Sequence, residues 1–245
     1  MSRRLAQVEV TPDSIDAILL THAHGDHTRG AGVFARRHGV PVYATEALWD
    51  EWHSAGQVEG MTLEPNESLS LAGFCFSHFE IPHDASETCG FRIETPEGII
   101  GYATDIGALT PLMIELFQDC RVLVIESNHA AELLRVSPYA RATRARIAGV
   151  GGHLSNESLA TFVRDHLGVT VKCLVLAHLS RVNNVPELAE MSCREALVTS
   201  GREDVEVILT SQEHVARTVD LSVWLPETAM RARQENLPFL DRVEH

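Results

Sequence analysis

The sequence predicts a mixed α/β fold, and three observations carry the prediction. Short apolar runs and amphipathic helical segments alternate toward both ends of the 245-residue chain. Between them, residues 67–104 alternate apolar and polar positions with a period of two, as an antiparallel meander does. A hydrophobic content of 44% over this length is enough for one domain with a large core. Alternating strands and helices on either side of a meander give a mixed α/β domain and, by themselves, no more specific layering.

The elements follow in order. Thr11-Pro12-Asp13-Ser14 reads as a short helix start, with Thr11 as cap and Pro12 in the first turn. It feeds a buried strand over 17–20. A helix over 32–38 closes at Gly39, and a short strand follows over 41–44. The helix predicted over 46–55 places Leu48, Trp49 and Trp52 on one face, where core packing explains the tryptophans better than binding does. The meander is punctuated at Ala72-Gly73 and at Thr95-Pro96-Glu97-Gly98, and ends in a strand over 99–104. Then come a helix over 111–117, a buried strand over 122–125, and a helical stretch over 130–147 broken near Ser137-Pro138. A helix over 157–167 is capped by Ser155 or Asn156. A buried strand over 171–177, a helix over 186–199 and strands over 205–209 and 214–219 complete the domain. Neither repeat nor linker interrupts it, so 1–225 is expected to be one domain and 226–245 a polar tail.

Composition limits function. A formal net charge of -14 argues against binding nucleic acid through a broad basic face. It leaves room for a nuclease, because bound metal ions and a local basic patch reverse the sign where substrate lies. Such a patch is present: Arg135, Arg141, Arg144 and Arg146 are close together, with Arg181 further on, although a solvated helix face has the same pattern. No apolar run is long enough to span a membrane, and the basic N-terminus lacks the apolar stretch of a secretory signal. Five cysteines, odd in number and without a Cys-X-X-Cys, read as free thiols in the cytoplasm. Self-association is left open.

Chemistry concentrates in Thr21-His22-Ala23-His24-Gly25-Asp26-His27. His22 and His24 are two apart at a strand end, so their rings project on one side. Gly25 lets the backbone turn back toward Asp26 and His27. Imidazole and carboxylate suit zinc, and also manganese or iron. Four candidate ligands this close exceed what one ion can take from one loop, which points to two ions. The bland alternative is a solvated, metal-scavenging loop. The aspartate within the run and the strand before it argue against that.

At these residues the chain resembles the metallo-β-lactamase superfamily, whose signature is His-X-His-X-Asp-His after a strand. The resemblance implies a four-layer αββα sandwich and a metal-dependent hydrolase. It also gives meaning to His83, Asp105 and His178, which each follow an apolar strand. By this likeness His22, His24 and His83 hold one divalent ion, Zn2+ or Mn2+. Asp26, His27 and His178 hold the other, and Asp105 bridges. Two ions so placed lower the pKa of a shared water and polarise the scissile bond, with Asp26 orienting the nucleophile. His38, His53, His78, His166 and His214 lie outside these motifs and are read as ordinary.

The second half narrows the likeness. Glu126-Ser127-Asn128-His129, Gly152-His153-Leu154-Ser155-Asn156, Ala177-His178-Leu179-Ser180 and Asn183-Asn184, with His83-Asp84-Ala85, resemble the YycJ/WalJ group, associated with DNA exonuclease activity. They are more distantly similar to ribonuclease Z. Two departures stand out. Ala130 occupies a position that is usually acidic in the group, which costs an outer hydrogen bond. The chain also begins after the group's first strands, so the native protein is expected to be longer. His153 is the candidate to protonate a leaving oxygen or bind a phosphate, helped by Ser155 and Asn156 at a helix start; packing is its alternative. Asn183 and Asn184 fit phosphate contacts and turn positions equally.

The expected function is a two-metal phosphodiesterase acting on DNA from an end. A thioester hydrolase of the glyoxalase II type would use the same metals; the arginine cluster and His153 favour the first. β-Lactam hydrolysis fits less well without an export signal. A metal-binding protein without activity is the non-enzymatic alternative.

Overall fold

The computed structural model describes residues 2–52 and 56–225. The last residues of the helix predicted over 46–55, and the tail predicted over 226–245, lie outside them. The chain opens with helix α1 (Ser2–Gln7) and a single helical turn, Pro12–Ser14, entered from Thr11. Strands β1 (Ile18–Leu19), β2 (Val42–Ala44) and β3 (Gly60–Thr62) form a small parallel sheet in that order. Helices α2 (Gly25–Thr28), α3 (Ala31–His38) and α4 (Glu46–Glu51) fill the connections. Gly39 ends α3 in the left-handed region at φ 65°, where a side chain would be strained.

The second sheet has seven strands. The meander supplies β4 (Leu69–Leu71), β5 (Phe74–Glu80), β6 (Cys89–Thr95) and β7 (Gly98–Ala103), all antiparallel. Parallel strands β8 (Val122–Glu126), β9 (Cys173–Ala177) and β10 (Glu206–Leu209) extend it beyond β7. Parallel neighbours need crossovers. These are α5 (Pro111–Phe117), the set α6 (Ala131–Arg135), α7 (Arg141–Ile147) and α8 (Asn156–His166), and α9 (Pro186–Thr199).

Side-chain alternation sorts the layers. Ile18, Leu20, Val42 and Ala44 pack with Phe34, Leu48 and Trp52 of the first helices. Leu19 and Tyr43, on the opposite face, meet Phe91, Ile93 and Tyr102 of the second sheet. The far face of that sheet, with Leu123, Ile125, Leu174 and Leu176, packs with Phe117, Leu159, Phe162 and Leu197. The order is therefore helices, sheet, sheet, helices, as a four-layer sandwich requires.

The break expected near Ser137-Pro138 divides the stretch over 130–147 into α6 and α7, separated by residues 136–140. Other details differ from the sequence expectation. β3 was not foreseen, because its three exposed residues carry no alternation; β2 supplies its register. Residues 214–219 form no strand, because their backbone joins no ladder. Ala216 and Val219, with Leu221 and Trp224, instead pack on Val122, Val175 and Ile208, covering the part of the second sheet's inner face that lies beyond the small sheet.

Candidate metal centre

Chain direction brings the chemistry to one end of the sandwich. His22 follows β1, His83 follows β5, Asp105 follows β7, Glu126 ends β8 and His178 follows β9. The two sheets are joined there, where Cys89 N donates to Thr21 O at 2.9 Å. His24 precedes the single-turn helix α2, which swings Asp26 and His27 back toward the strand end.

The rings crowd together. Centroids of His22 and His27 are 4.1 Å apart, and those of His22 and His24 4.7 Å. His83 Nε2 is 3.3 Å from His24 Nδ1. Nitrogen and oxygen atoms of His22, His24 and His83 lie within 4.8 Å of one another, as do those of Asp26, His27 and His178. Asp105 lies between the two sets: Oδ2 is 3.2 Å from His27 Nε2, and Oδ1 is 3.7 Å from His83 Nε2 and 3.5 Å from His178 Nδ1.

Within this cluster, two buried atoms, His22 Nε2 and Asp105 Oδ2, have no hydrogen-bond partner among the described residues. Leaving such atoms unsatisfied costs about 1–3 kcal/mol each. A cation among them would remove that cost, and the donor set of nitrogen and carboxylate oxygen fits a divalent transition metal. The residues present therefore suit the ions that the motif implies.

The rings are aimed by their second nitrogens. Thr21 Oγ1 lies 3.0 Å from His22 Nδ1 and 3.2 Å from His27 Nδ1. Gly152 O lies 2.9 Å from His83 Nδ1. Glu126 Oε1 takes both His178 Nδ1, at 2.7 Å, and His153 Nδ1, at 2.9 Å. Its Oε2 accepts from the backbone N–H of Ile106, at 2.6 Å, and of Leu154, at 3.0 Å. One fully buried carboxylate thus ties together the loops after β7, β8 and β9 and the loop before α8.

Backbone strain collects here as well. Asp105 and His178 have φ of 60° and 56°. A non-glycine residue in that region costs about 1–3 kcal/mol and persists only where its surroundings fix it. Gly107 N donates to Pro82 O at 2.7 Å, and Asn128 Nδ2 donates to His178 O at 2.9 Å.

Charge is balanced inside the cluster. Burial, followed by the neighbouring His27, pushes His22 down to about 3, so it is a neutral ligand type. Burial also lowers His83. Burial would lower His178 too, but hydrogen bonds to Asp26 and Glu126 and the charge of Asp105 hold it up at about 10. The hydrogen bond to His178 holds Asp26 well below the usual carboxylate range. Burial raises Asp105 and Glu126, and their histidine partners outweigh it, holding both low. The carboxylates are therefore ionised, ready to meet a cation.

The remaining candidates fall in different places. His153 faces the cluster, its ring 5.2 Å from His83 and 5.3 Å from His178. Ser155 caps α8, accepting from Ser158 N at 3.1 Å. Asn156 is buried: it accepts from Ser127 Oγ and donates to Asn184 Oδ1, so its amide is committed inside the protein. Asn183 is 1% exposed, and its carbonyl accepts from Ala130 N at 2.9 Å. Ala130 is buried as the first residue before α6.

Sequence reasoning passed over Glu126, Thr21 and the Asp84–Arg146 pair. Glu126 did carry a signal, being an acid at the end of an apolar strand, the same pattern that picked out Asp105. Asp84 lies 3.7 Å from His24 Nε2 and is held low mainly by Arg146. That contact joins residues far apart in the chain and left no local trace.

Comparison with known proteins agrees with the fold and with the motif that marks this cluster. Residues 1–179 match a family model described as a beta-lactamase superfamily domain. The chain is 34% identical over 194 residues to exodeoxyribonuclease WalJ of Streptococcus pneumoniae, covering 77% of this chain and 72% of that protein. It is 32% identical over 199 residues to exodeoxyribonuclease YycJ of Bacillus anthracis, covering 80% and 75%. Among solved structures, the metallo-beta-lactamase fold protein YhfI from Bacillus subtilis superposes with a TM-score of 0.66 at 16% identity, covering 87% of this chain and 82% of that one.

Proposed function

The chain belongs to the metallo-β-lactamase superfamily of metal-dependent hydrolases, in its YycJ/WalJ-like group, and from that premise we propose that it is a two-metal phosphodiesterase that degrades DNA from an end. The observation that carries the two-metal reading is the pair of triads, His22/His24/His83 and Asp26/His27/His178, with Asp105 between them. DNA as substrate is supported by the names of the two relatives, both exodeoxyribonucleases.

In this reading each triad would hold one divalent ion, Zn2+ or Mn2+, and Asp105, placed between the triads, would serve as a shared ligand. When bound, such a pair activates water and draws charge from a phosphoryl oxygen. The protein's own groups do the rest. Asp26 is the most exposed of the cluster's carboxylates and orients the attacking water. His153 is fixed through Nδ1 by Glu126, which leaves Nε2 to give a proton to the departing oxygen. Glu126 acts on the substrate only through the two histidines it positions.

The test is direct. Purified protein with Zn2+ or Mn2+ is given end-labelled single- and double-stranded DNA, RNA and a thioester in parallel. Stepwise shortening of DNA from one end is the expected result. Hydrolysis of the thioester alone would replace this reading with the glyoxalase II type.

A further inference from the structure

Away from the metal centre, three arginines face one cleft on this acidic chain. Arg135, Arg141 and Arg144 line an open cleft of ≈ 500 Å³ between α6 and α7. Among the described residues, none of the three pairs with a carboxylate. Arg92, Arg146, Arg164, Arg194, Arg202 and Arg217 all do. The Arg144 guanidinium, on α7, donates to the backbone carbonyl of Arg135 at the end of α6, which ties the two helices together across the cleft. The floor is apolar, made by Leu134 and small alanines, with buried His129 beneath it.

We propose that this cleft binds the phosphate backbone of the nucleic-acid strand that feeds the metal centre, a reading that rests on the substrate class argued above. Three features favour a strand over an isolated ion. Guanidiniums that face one groove with no carboxylate partner are the usual partners of phosphates, which they meet in a forked geometry. Tyr139, 39% exposed, lies on the loop between the two helices, where an aromatic ring offers a surface for a base to stack. The chain also links the cleft to the site. His129 O accepts from Asn156 N at 2.9 Å, three residues after Glu126. Helix α7 begins at Arg141 and, near its other end, Arg146 clasps Asp84 beside His83. Its seven residues span about 10 Å, on the order of three steps of a DNA strand. The arginines thus lie a few nucleotides from the scissile bond, where they select for polymer without touching the reacting atoms.

The experiment compares the metal-loaded protein with R135Q/R141Q/R144Q and with the charge-conserving triple lysine variant. The probe is a short fluorescein-labelled DNA strand with phosphorothioate linkages, followed by anisotropy across a salt series. Turnover of bis-p-nitrophenyl phosphate reports the metal centre. The glutamine variant is expected to bind DNA at least about tenfold more weakly, with a salt slope shallower by about two, since each phosphate contact on a single strand contributes about 0.7. The lysine variant should recover the slope, and small-diester turnover should be unchanged in both. Unaltered affinity and slope in the glutamine variant would overturn the proposal. An equal loss on the small diester would also overturn it, because the arginines would then act through the fold. Failure of the substrate reading looks different: wild-type protein would cut no nucleic acid at all, whatever the variants do.

Discussion

Glu126 shows how much of the centre depends on one residue that touches no substrate. It is fully buried and accepts four hydrogen bonds, two from histidine rings and two from backbone N–H groups. Glu126→Gln keeps the shape but puts an amide where one pair of acceptors was. Metal affinity or turnover should fall by about 10–100-fold while the far-ultraviolet circular dichroism stays unchanged. Retained affinity would show that His178 and His153 orient themselves. His153→Ala makes a different prediction. Hydrolysis of a diester with an alkoxide leaving group should drop by about 10²–10⁴-fold, and that of a p-nitrophenyl diester far less, because only a poor leaving oxygen needs a proton. Equal losses on both substrates would assign His153 to packing or phosphate binding. At this scale the sequence was most legible where chemistry is local: His22 to His27 stand together because one loop supplies them. Asn156 was not legible, because Ser127 and Asn184, which bury its amide, belong to other loops.

Among the elements, the meander is clamped to its crossover helix at one point. The Arg92 guanidinium, on β6, donates to both carboxylate oxygens of Asp119 and to Leu116 O at the end of α5. Arg92 holds the Asp119 carboxyl below the usual carboxylate range. A group with a lowered folded pKa stabilises the protein above its unfolded value, near 3.9, and loses that contribution as pH falls below it. Asp119→Asn should therefore cost up to about 1 kcal/mol in urea unfolding at pH 7 and almost nothing near pH 2, since the pair is partly exposed. A difference that persisted in acid would point to packing. A second junction is steric. A methyl group on Gly107 would lie 2.1 Å from Val150 O, so Gly107→Ala must push apart the loops that carry Asp105 and His153. The expected cost is about 1–3 kcal/mol in stability, together with a fall in turnover. Strands and long helices were legible because their periods are written in the chain. The fate of 214–219 was not: its apolar residues are real, but a face of the second sheet takes them without a ladder.

For the whole molecule, metal content is the first measurement. Dialysed protein should retain close to two divalent ions per chain, and Asp105→Ala should lose turnover on every substrate while keeping its fold. One ion or none would end the two-metal reading. That the chain is mixed α/β was legible from alternation on either side of a meander. The four-layer sandwich and the meeting of its donors came only through the likeness that starts at His22 to His27, because both depend on long-range pairing: the parallel run of β7, β8 and β9 and the joint at Cys89 and Thr21. The joint has a mechanical meaning. His22, His24, Asp26 and His27 come from the small sheet's side and His83, Asp105 and His178 from the large one, so an ion held by both acts as a rivet through the sandwich. It closes the chain from His22 to His178 into a loop, as a covalent cross-link would. For loops of about 100 residues, such closure removes on the order of 5 kcal/mol of freedom from the unfolded chain. Chelation should then act as the reduction of a disulfide does. In hydrogen exchange, amides of β1 and β2 should open first and alone, while those of β8 and β9 remain protected.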